Sequence, residues 1–287
     1  MPMDILSNIQ NSMSSLSKGQ KLIANYILEY YDKAAFMTAS KLGKTVQVSE
    51  STVVRFAVEL GYEGYPEMQR ALQEMIRNKL TSVQRIEVAN DRIGQSDVLS
   101  TVLHSDIDKI RSTLEKIDRA TFNKAVDLIL NANKIYILGV RSSAALASFL
   151  GFYMNLMFDN VRLVHTTSVS EMFEQVVKVA PGDVVLGISF PRYSSRTVKA
   201  MRFCHDTGAT VIALTDTMQS PIAENADLVL AAESDMISLV DSLVAPLSLI
   251  NALIVAISRR KDQELAHTFS ELERIWDEYE VYEKVEN

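Results

Sequence analysis

DVVLGISFPRYSSRTVKAMRFC, residues 183–204, sets the fold class of this chain. It opens on an apolar, β-rich run, DVVLGISF (183–190). It then crosses the polar stretch Phe190-Pro191-Arg192-Tyr193-Ser194-Ser195-Arg196-Thr197 and continues as the helical VKAMRFC. Strand, polar strand end and helix in that order form one repeat unit of an α/β layer fold. The same grammar recurs on both sides, in IYILGV (135–140), VRLVH (161–165), TVIALTD (210–216) and DLVLA (227–231), with helical segments between. Continuous apolar strands spaced by helices predict a five-stranded parallel sheet covered by helices on both faces. A long apolar helix over about 236–258 and an acidic terminal helix over about 261–283 are expected to close the chain.

Working back toward the start, the strands disappear. Ser17 caps a helix running to about Tyr31, a break follows at Asp32–Phe36, Thr38 caps a short helix over 39–45, and Ser49 caps another over 50–60 that Gly61 ends. Gly64 and Pro66 open a fourth helix to about Lys79. Residues 81–96 have weak periodicity, and Leu99, Val102, Ile107, Ile110, Leu114 and Ile117 suggest one more helix. The expected organisation is therefore an all-α domain over 1–80, a linker and connecting helix over 81–118, and an α/β domain over 119–287.

Apolar residues make up 47% of the 287 positions and charged residues 23%, a globular composition. The polar opening MPMDILSNIQNS does not read as a signal peptide, and the most apolar stretch, 240–257, is interrupted by Asp241, Pro246 and Asn251. A single cysteine, Cys204, excludes an internal disulfide and a cysteine-built zinc site, so a reducing, cytoplasmic setting without membrane attachment is expected. The net charge of −7 is uneven: residues 1–80 carry 9 Lys and Arg against 8 Asp and Glu, and the rest carry 20 against 28. The acidity belongs to the second part, so the first keeps its capacity for a local basic face.

Residues 38–72, TASKLGKTVQVSESTVVRFAVELGYEGYPEMQRAL, place two short helices around a tight turn, the layout of a helix-turn-helix. Val53, Val54, Ala57 and Leu60 are expected inward. Ser49, Glu50, Ser51, Thr52 and Arg55 lie at the start of the second helix or on its other side, where hydroxyls and a guanidinium reach base edges or phosphates. Lys41 and Lys44 on the preceding helix are placed for backbone phosphates. A plain helical bundle with solvated polar residues fits the same pattern.

The run VSESTVVRFAVELGYEGYPEMQRAL (48–72) resembles the signature of the RpiR/MurR family of transcription regulators. Ser49, Ser51, Thr52, Val53, Arg55, Phe56, Leu60, Gly61, Tyr62, Gly64 and Tyr65 all fall on its pattern. The resemblance implies binding to double-stranded operator DNA. Gln47 departs from it, standing where the family has a turn glycine or another small or polar residue, and is expected to sit outside the left-handed region.

Ligands of parallel α/β sheets gather beyond the carboxyl ends of the strands. Three of those ends are polar here: Arg141-Ser142-Ser143, the stretch from Ser189 through Arg192, Tyr193, Ser194, Ser195 and Arg196 to Thr197, and Asp216-Thr217. Helix-start N–H groups, hydroxyls and arginines together suit an anion. Taken singly, Ser142 and Ser194 are equally well read as helix caps, and Arg141 or Arg196 as surface charge or an intersubunit contact. Residues 120–260 resemble the sugar isomerase (SIS) domain that follows the reader in RpiR-type regulators. By that resemblance, Ser142 and Ser143 supply the first-loop hydroxyls, and Ser189, Ser194 or Ser195, and Thr197 the second. Arg141 replaces a glycine common in the first loop, and Phe190-Pro191-Arg192-Tyr193 replaces the loop glycine of the second. The expected effector is thus a small anionic metabolite such as a phosphosugar.

His104, His165, His205 and His267 fall in no acid–base constellation, and Glu233 and Asp235 are the nearest carboxylates beyond the last strand. No catalytic set, metal site or cofactor is expected. The reading is a DNA-binding regulator of a metabolic, carbohydrate-linked operon, acting as a homodimer or homotetramer. The alternatives are a phosphosugar isomerase with an appended helical domain and a helical module that docks a protein.

Overall fold

In the computed structural model, residues 5–77, 81, 83–86, 97–166, 168–234 and 241–283 are described. Five parallel strands, β1 (Ile135–Gly139), β2 (Val161–Val164), β3 (Val184–Ile188), β4 (Thr210–Thr215) and β5 (Leu228–Ala231), form one sheet in the order β2-β1-β3-β4-β5. Ile135 sits beside Val161 on one side and Val184 on the other, so β1 and β3 are neighbours. Every residue of β1 and β3 is buried, as their unbroken apolar runs require of strands covered on both faces.

Alternation along the strands feeds two cores. Ile135, Ile137, Leu186 and Ile212 pack with Val126 and Ile129 of α8 (Arg119–Leu130), Leu150 and Met154 of α9 (Ser143–Met157), and Ile250 and Leu253 of α12 (Val244–Arg260). Tyr136, Leu138, Val185 and Val211 pack with Met172 of α10 (Val169–Val176) and Met201 and Cys204 of α11 (Ser195–Asp206). Each such buried aliphatic side chain contributes roughly 1.5–3 kcal/mol. Burial also pushes the Cys204 thiol up to about 12, which keeps it protonated and unreactive.

The chain closes with α12 and α13 (Asp262–Glu278). The long apolar helix therefore starts later than expected. Residues 236–240 lie outside the described residues, and Leu243 is the cap before Val244. Pro246 explains the start: its missing N–H is harmless in a first turn and would break a helix begun further back.

The α-helical region comprises α1 (Ile5–Ser12), α2 (Lys18–Glu29), a one-turn α3 (Tyr31–Ala34) inside the expected break, α4 (Ala39–Thr45), α5 (Glu50–Glu59) and α6 (Tyr65–Arg77). Ser17 and Gln20 form a reciprocal capping box on α2, and Thr38 accepts from the Lys41 N–H on α4. Ile23, Ile27, Leu42, Phe56, Met68 and Leu72 lie at the centre of a separate core. The connecting helix α7 runs Val98–Lys116.

Contacts divide the chain into Met1–Ser105 with Asp235–Ser242, and Asp106–Ser234 with Leu243–Asn287. Within the first unit, Arg85 Nη1 donates to both carboxylate oxygens of Asp241 at 3.1 and 3.0 Å. Their side chains are only 4% and 15% exposed. Among the described residues, no helix is long and apolar enough to cross a membrane.

Candidate DNA-reading helix and ligand loops

The turn between α4 and α5 is held by backbone as much as by side chains. The Val48 N–H donates to the Gly43 carbonyl at 2.8 Å. A Cβ at Gly43 would come within 2.9 Å of the Val48 oxygen, so this close approach requires glycine. Gln47 has φ 59°, in the left-handed region. The expectation that it stays outside that region is wrong, because the sharp return of Val48 onto α4 imposes the positive φ whatever residue occupies it.

Ser49 is the hub of the α5 start. Its Oγ accepts from the Thr52 N–H and lies 2.9 Å from Ser51 Oγ and 2.8 Å from Thr52 Oγ1. Val53, Phe56, Ala57 and Leu60 are buried, at helical spacing. Val54 is 39% exposed, which corrects its expected inward position; Phe56 takes that place, two residues on. Glu50, Ser51 and Arg55 are exposed, Thr52 is half-buried, and Arg55 Nε donates to the Ser51 carbonyl at 3.2 Å. Lys41 and Lys44 are exposed on α4.

α6 fixes the approach to this pair of helices. The Tyr65 hydroxyl and the Gln69 amide both donate to the Met37 carbonyl at 2.7 Å, and Gln73 donates to that of Ala35 at 2.8 Å. Burial raises the Tyr65 phenol well above its ordinary range, so it remains a donor.

The second set of residues surrounds the ends of β1 and β3. Strand order reverses between these two strands, the place where doubly wound sheets open a crevice. After β1, Arg141 takes φ 57° and leads into α9. A Cβ at Gly139 would come within 2.7 Å of the Ser143 carbonyl, so the glycine lets the start of α9 press onto the strand end. Ser142 and Arg141 are exposed and Ser143 is buried; Ser142 makes no side-chain cap bond, so capping does not account for it.

After β3, the buried Ser189 Oγ accepts from the Ser194 N–H at 3.2 Å, and Ser194 Oγ caps α11 by accepting from the Thr197 N–H at 3.4 Å. Arg192, Ser195 and Arg196 are exposed, and Tyr193 and Ser194 half-buried. Thr197 is fully buried, and its Oγ1 has no hydrogen-bond partner among the described residues. The Tyr193 hydroxyl donates to Asp216 Oδ1, which also accepts from Thr215 Oγ1. Asp216 was legible as a polar strand end; the strand order is what brings it to the loop after β3.

A cleft of about 620 Å³ lies elsewhere, between the far end of α9 and α13, lined by Asn155, Phe158, Lys261 and Glu264 among others. It holds none of these loop residues. Glu233 is paired with Lys116, and its N–H donates to Thr113 Oγ1 at 2.9 Å, tying the end of α7 to the segment after β5. Asp235 lies outside the described residues.

Residues 3–79 match the helix-turn-helix domain of the rpiR family, and residues 128–256 match the SIS domain. The chain belongs to the RpiR family. It is a helix-turn-helix transcription regulator with a five-stranded SIS domain. Among relatives of this RpiR-family chain, the regulator HexR of Escherichia coli K12 is 27% identical over 268 residues, 90% of this chain and 89% of its own. An HTH-type transcriptional regulator of Haemophilus influenzae is 27% identical over 239 residues, 79% of each chain. The sugar isomerase domain of an RpiR transcription factor from Sphaerobacter thermophilus superposes with TM-score 0.58 and 27% identity, over 62% of this chain and 98% of that one. The NanR protein of Vibrio vulnificus, solved with ManNAc-6P, shares the fold with TM-score 0.59 and 20% identity over 96% of this chain and 98% of its own.

Proposed function

We propose that this regulator binds operator DNA through α5 and that a small phosphorylated sugar, seated between the loops after β1 and β3, sets its operator affinity. The observation that carries the effector half is that α9, from Ser143, and α11, from Ser195, both start just beyond the carboxyl ends of the adjacent strands β1 and β3, where strand order reverses. Helix-start N–H groups and their dipoles favour an anion. Arg141, Ser142, Arg192, Ser194, Ser195 and Arg196 add cations and hydroxyls there, while Ser143, Ser189 and Thr197 lie beneath and shape the loops. Tyr193 and Asp216 then stand beside the anion site, with a carboxylate suited to sugar hydroxyls.

On the DNA side, Ser49, Glu50, Ser51, Thr52 and Arg55 form the reading surface, and Lys41 and Lys44 contact phosphates. Residues 1–80 act as the reader, 81–118 as the connector and 119–287 as the sensor. The protein works in the cytoplasm, on chromosomal DNA, without turning over its effector. It acts as a homodimer or homotetramer. Leu99, Leu103, Ile107, Ile110 and Leu114 of α7 are all more than a third exposed, a stripe suited to pairing with a second copy. An effector with unequal affinity for the two arrangements of α7 shifts the spacing of paired readers.

Thermal denaturation with a panel of sugar phosphates, inorganic phosphate and the matching free sugars tests the effector. A phosphosugar is expected to raise the midpoint where its free sugar does not. No shift with any phosphosugar, or steady interconversion of aldose and ketose phosphates, contradicts the proposal.

A further inference from the structure

Alongside Ser51 and Arg55, assigned to DNA contact above, α5 presents Val54 and Val58 on the same outward stripe, opposite the buried Val53, Phe56, Ala57 and Leu60. Val54 is 39% and Val58 53% exposed. β-Branched residues are poor helix formers where no packing selects them, so the fold of α5 gives no reason for a valine at either position. A lone exposed valine is ordinary. Two of them one turn apart, on the outer face of the second helix of a helix-turn-helix, are a shaped apolar surface.

We infer that Val54 and Val58 contact the 5-methyl groups of thymines in the major groove. The inference rests on the reading of α5 as the DNA-reading helix and names what that helix reads. Thymine carries the one methyl group among the base edges of that groove, and small apolar side chains are its natural contact. The exposed cations Lys41, Lys44 and Arg55 around the stripe match a polyanion, whereas an apolar protein surface would leave them unmatched. Arg55 Nε is held by the Ser51 carbonyl, which ties the guanidinium to the same stripe as the two valines. Val54 and Val58 are about 6 Å apart along the helix. That is a little under two base-pair steps of about 3.4 Å, so the pair addresses thymines about two steps apart in one half-site.

The test starts from selection of duplexes by the full-length protein out of a random library, followed by fluorescence anisotropy on the enriched duplex. Each thymine in turn is replaced by deoxyuridine, which removes the methyl and keeps the hydrogen-bonding edge. Uracil at one or two positions is expected to weaken wild-type binding about fourfold each, the worth of one buried methyl-sized group (about 0.8 kcal/mol). Val54→Ala and Val58→Ala should each become insensitive to uracil at one of these positions, with circular dichroism unchanged. Equal wild-type binding to every uracil duplex, or uracil sensitivity that survives in the double variant, overturns the inference and leaves DNA reading standing. Failure to enrich any duplex overturns both.

Discussion

The Tyr193 hydroxyl donates to Asp216 Oδ1 at 2.7 Å, joining the loop after β3 to the end of β4. Asp216 receives a further hydroxyl from Thr215 at 3.2 Å, so its carboxylate is oriented from two sides. Tyr193→Phe removes one of those bonds and leaves the ring in place. We expect a loss of about 1 kcal/mol in urea denaturation, together with weaker effector binding by calorimetry. Unchanged effector affinity would remove Asp216 from the site.

Arg141 holds a left-handed conformation that costs a non-glycine residue roughly 1–2 kcal/mol. Arg141→Gly is therefore expected to raise denaturation stability by about 1 kcal/mol while weakening anion binding through loss of the guanidinium. The two measurements should move in opposite directions. Movement of both downward would mean that Arg141 is held there by contacts the fold needs.

The Arg85–Asp241 pair is nearly excluded from water, with side chains 4% and 15% exposed. Removing one partner from such a pair leaves the other charge buried, at a cost of about 3–5 kcal/mol. Asp241→Ala should lower the unfolding free energy by that measure in urea denaturation, whereas replacing both residues with apolar ones of similar size should restore most of it. A single-variant loss below about 1 kcal/mol would place the pair among surface ion pairs.

Asp118 caps α8, accepting from the Thr121 hydroxyl at 2.6 Å, the Thr121 N–H at 2.8 Å and the Ala120 N–H at 3.3 Å. These bonds, the Thr121 hydroxyl foremost, hold its carboxyl below the ordinary value of 3.8. A depressed folded-state pKa gives stability that is complete above the unfolded value and is lost as pH falls through the folded one. The stability gap between wild type and Asp118→Ala should therefore be constant near neutrality and narrow below about pH 4. A gap independent of pH would show that the carboxylate charge adds nothing to the cap.

The strands were legible because β1 and β3 are buried on both faces, which leaves IYILG (135–139) and VVLGI (184–188) without charged or strongly polar interruptions. The caps Ser17, Thr38 and Ser49 were legible because capping is local chemistry. The phase of α5 was harder. Val54 and Phe56 are both apolar, and the choice between them is made by the core shared with α2 and α6. The left-handed Gln47 and the one-turn α3 likewise follow from tertiary closure rather than local preference. Loop residues 141–143 and 189–197 were legible as strand ends, but the depth of Ser143, Ser189 and Thr197, and the bond from Tyr193 to Asp216, depend on strand order.

In the proposed mechanism, an anion at the loops after β1 and β3 controls a DNA-reading helix. Operator-duplex affinity measured by anisotropy across a sugar-phosphate panel, on wild type and on Arg192→Ala with Arg196→Ala, tests it most directly. We expect at least one phosphosugar to change wild-type affinity by about fivefold or more, with the response abolished in the double variant while its DNA binding without effector is retained. Wild-type affinity that stays constant across the panel, or a response that survives unchanged in the double variant, would contradict it.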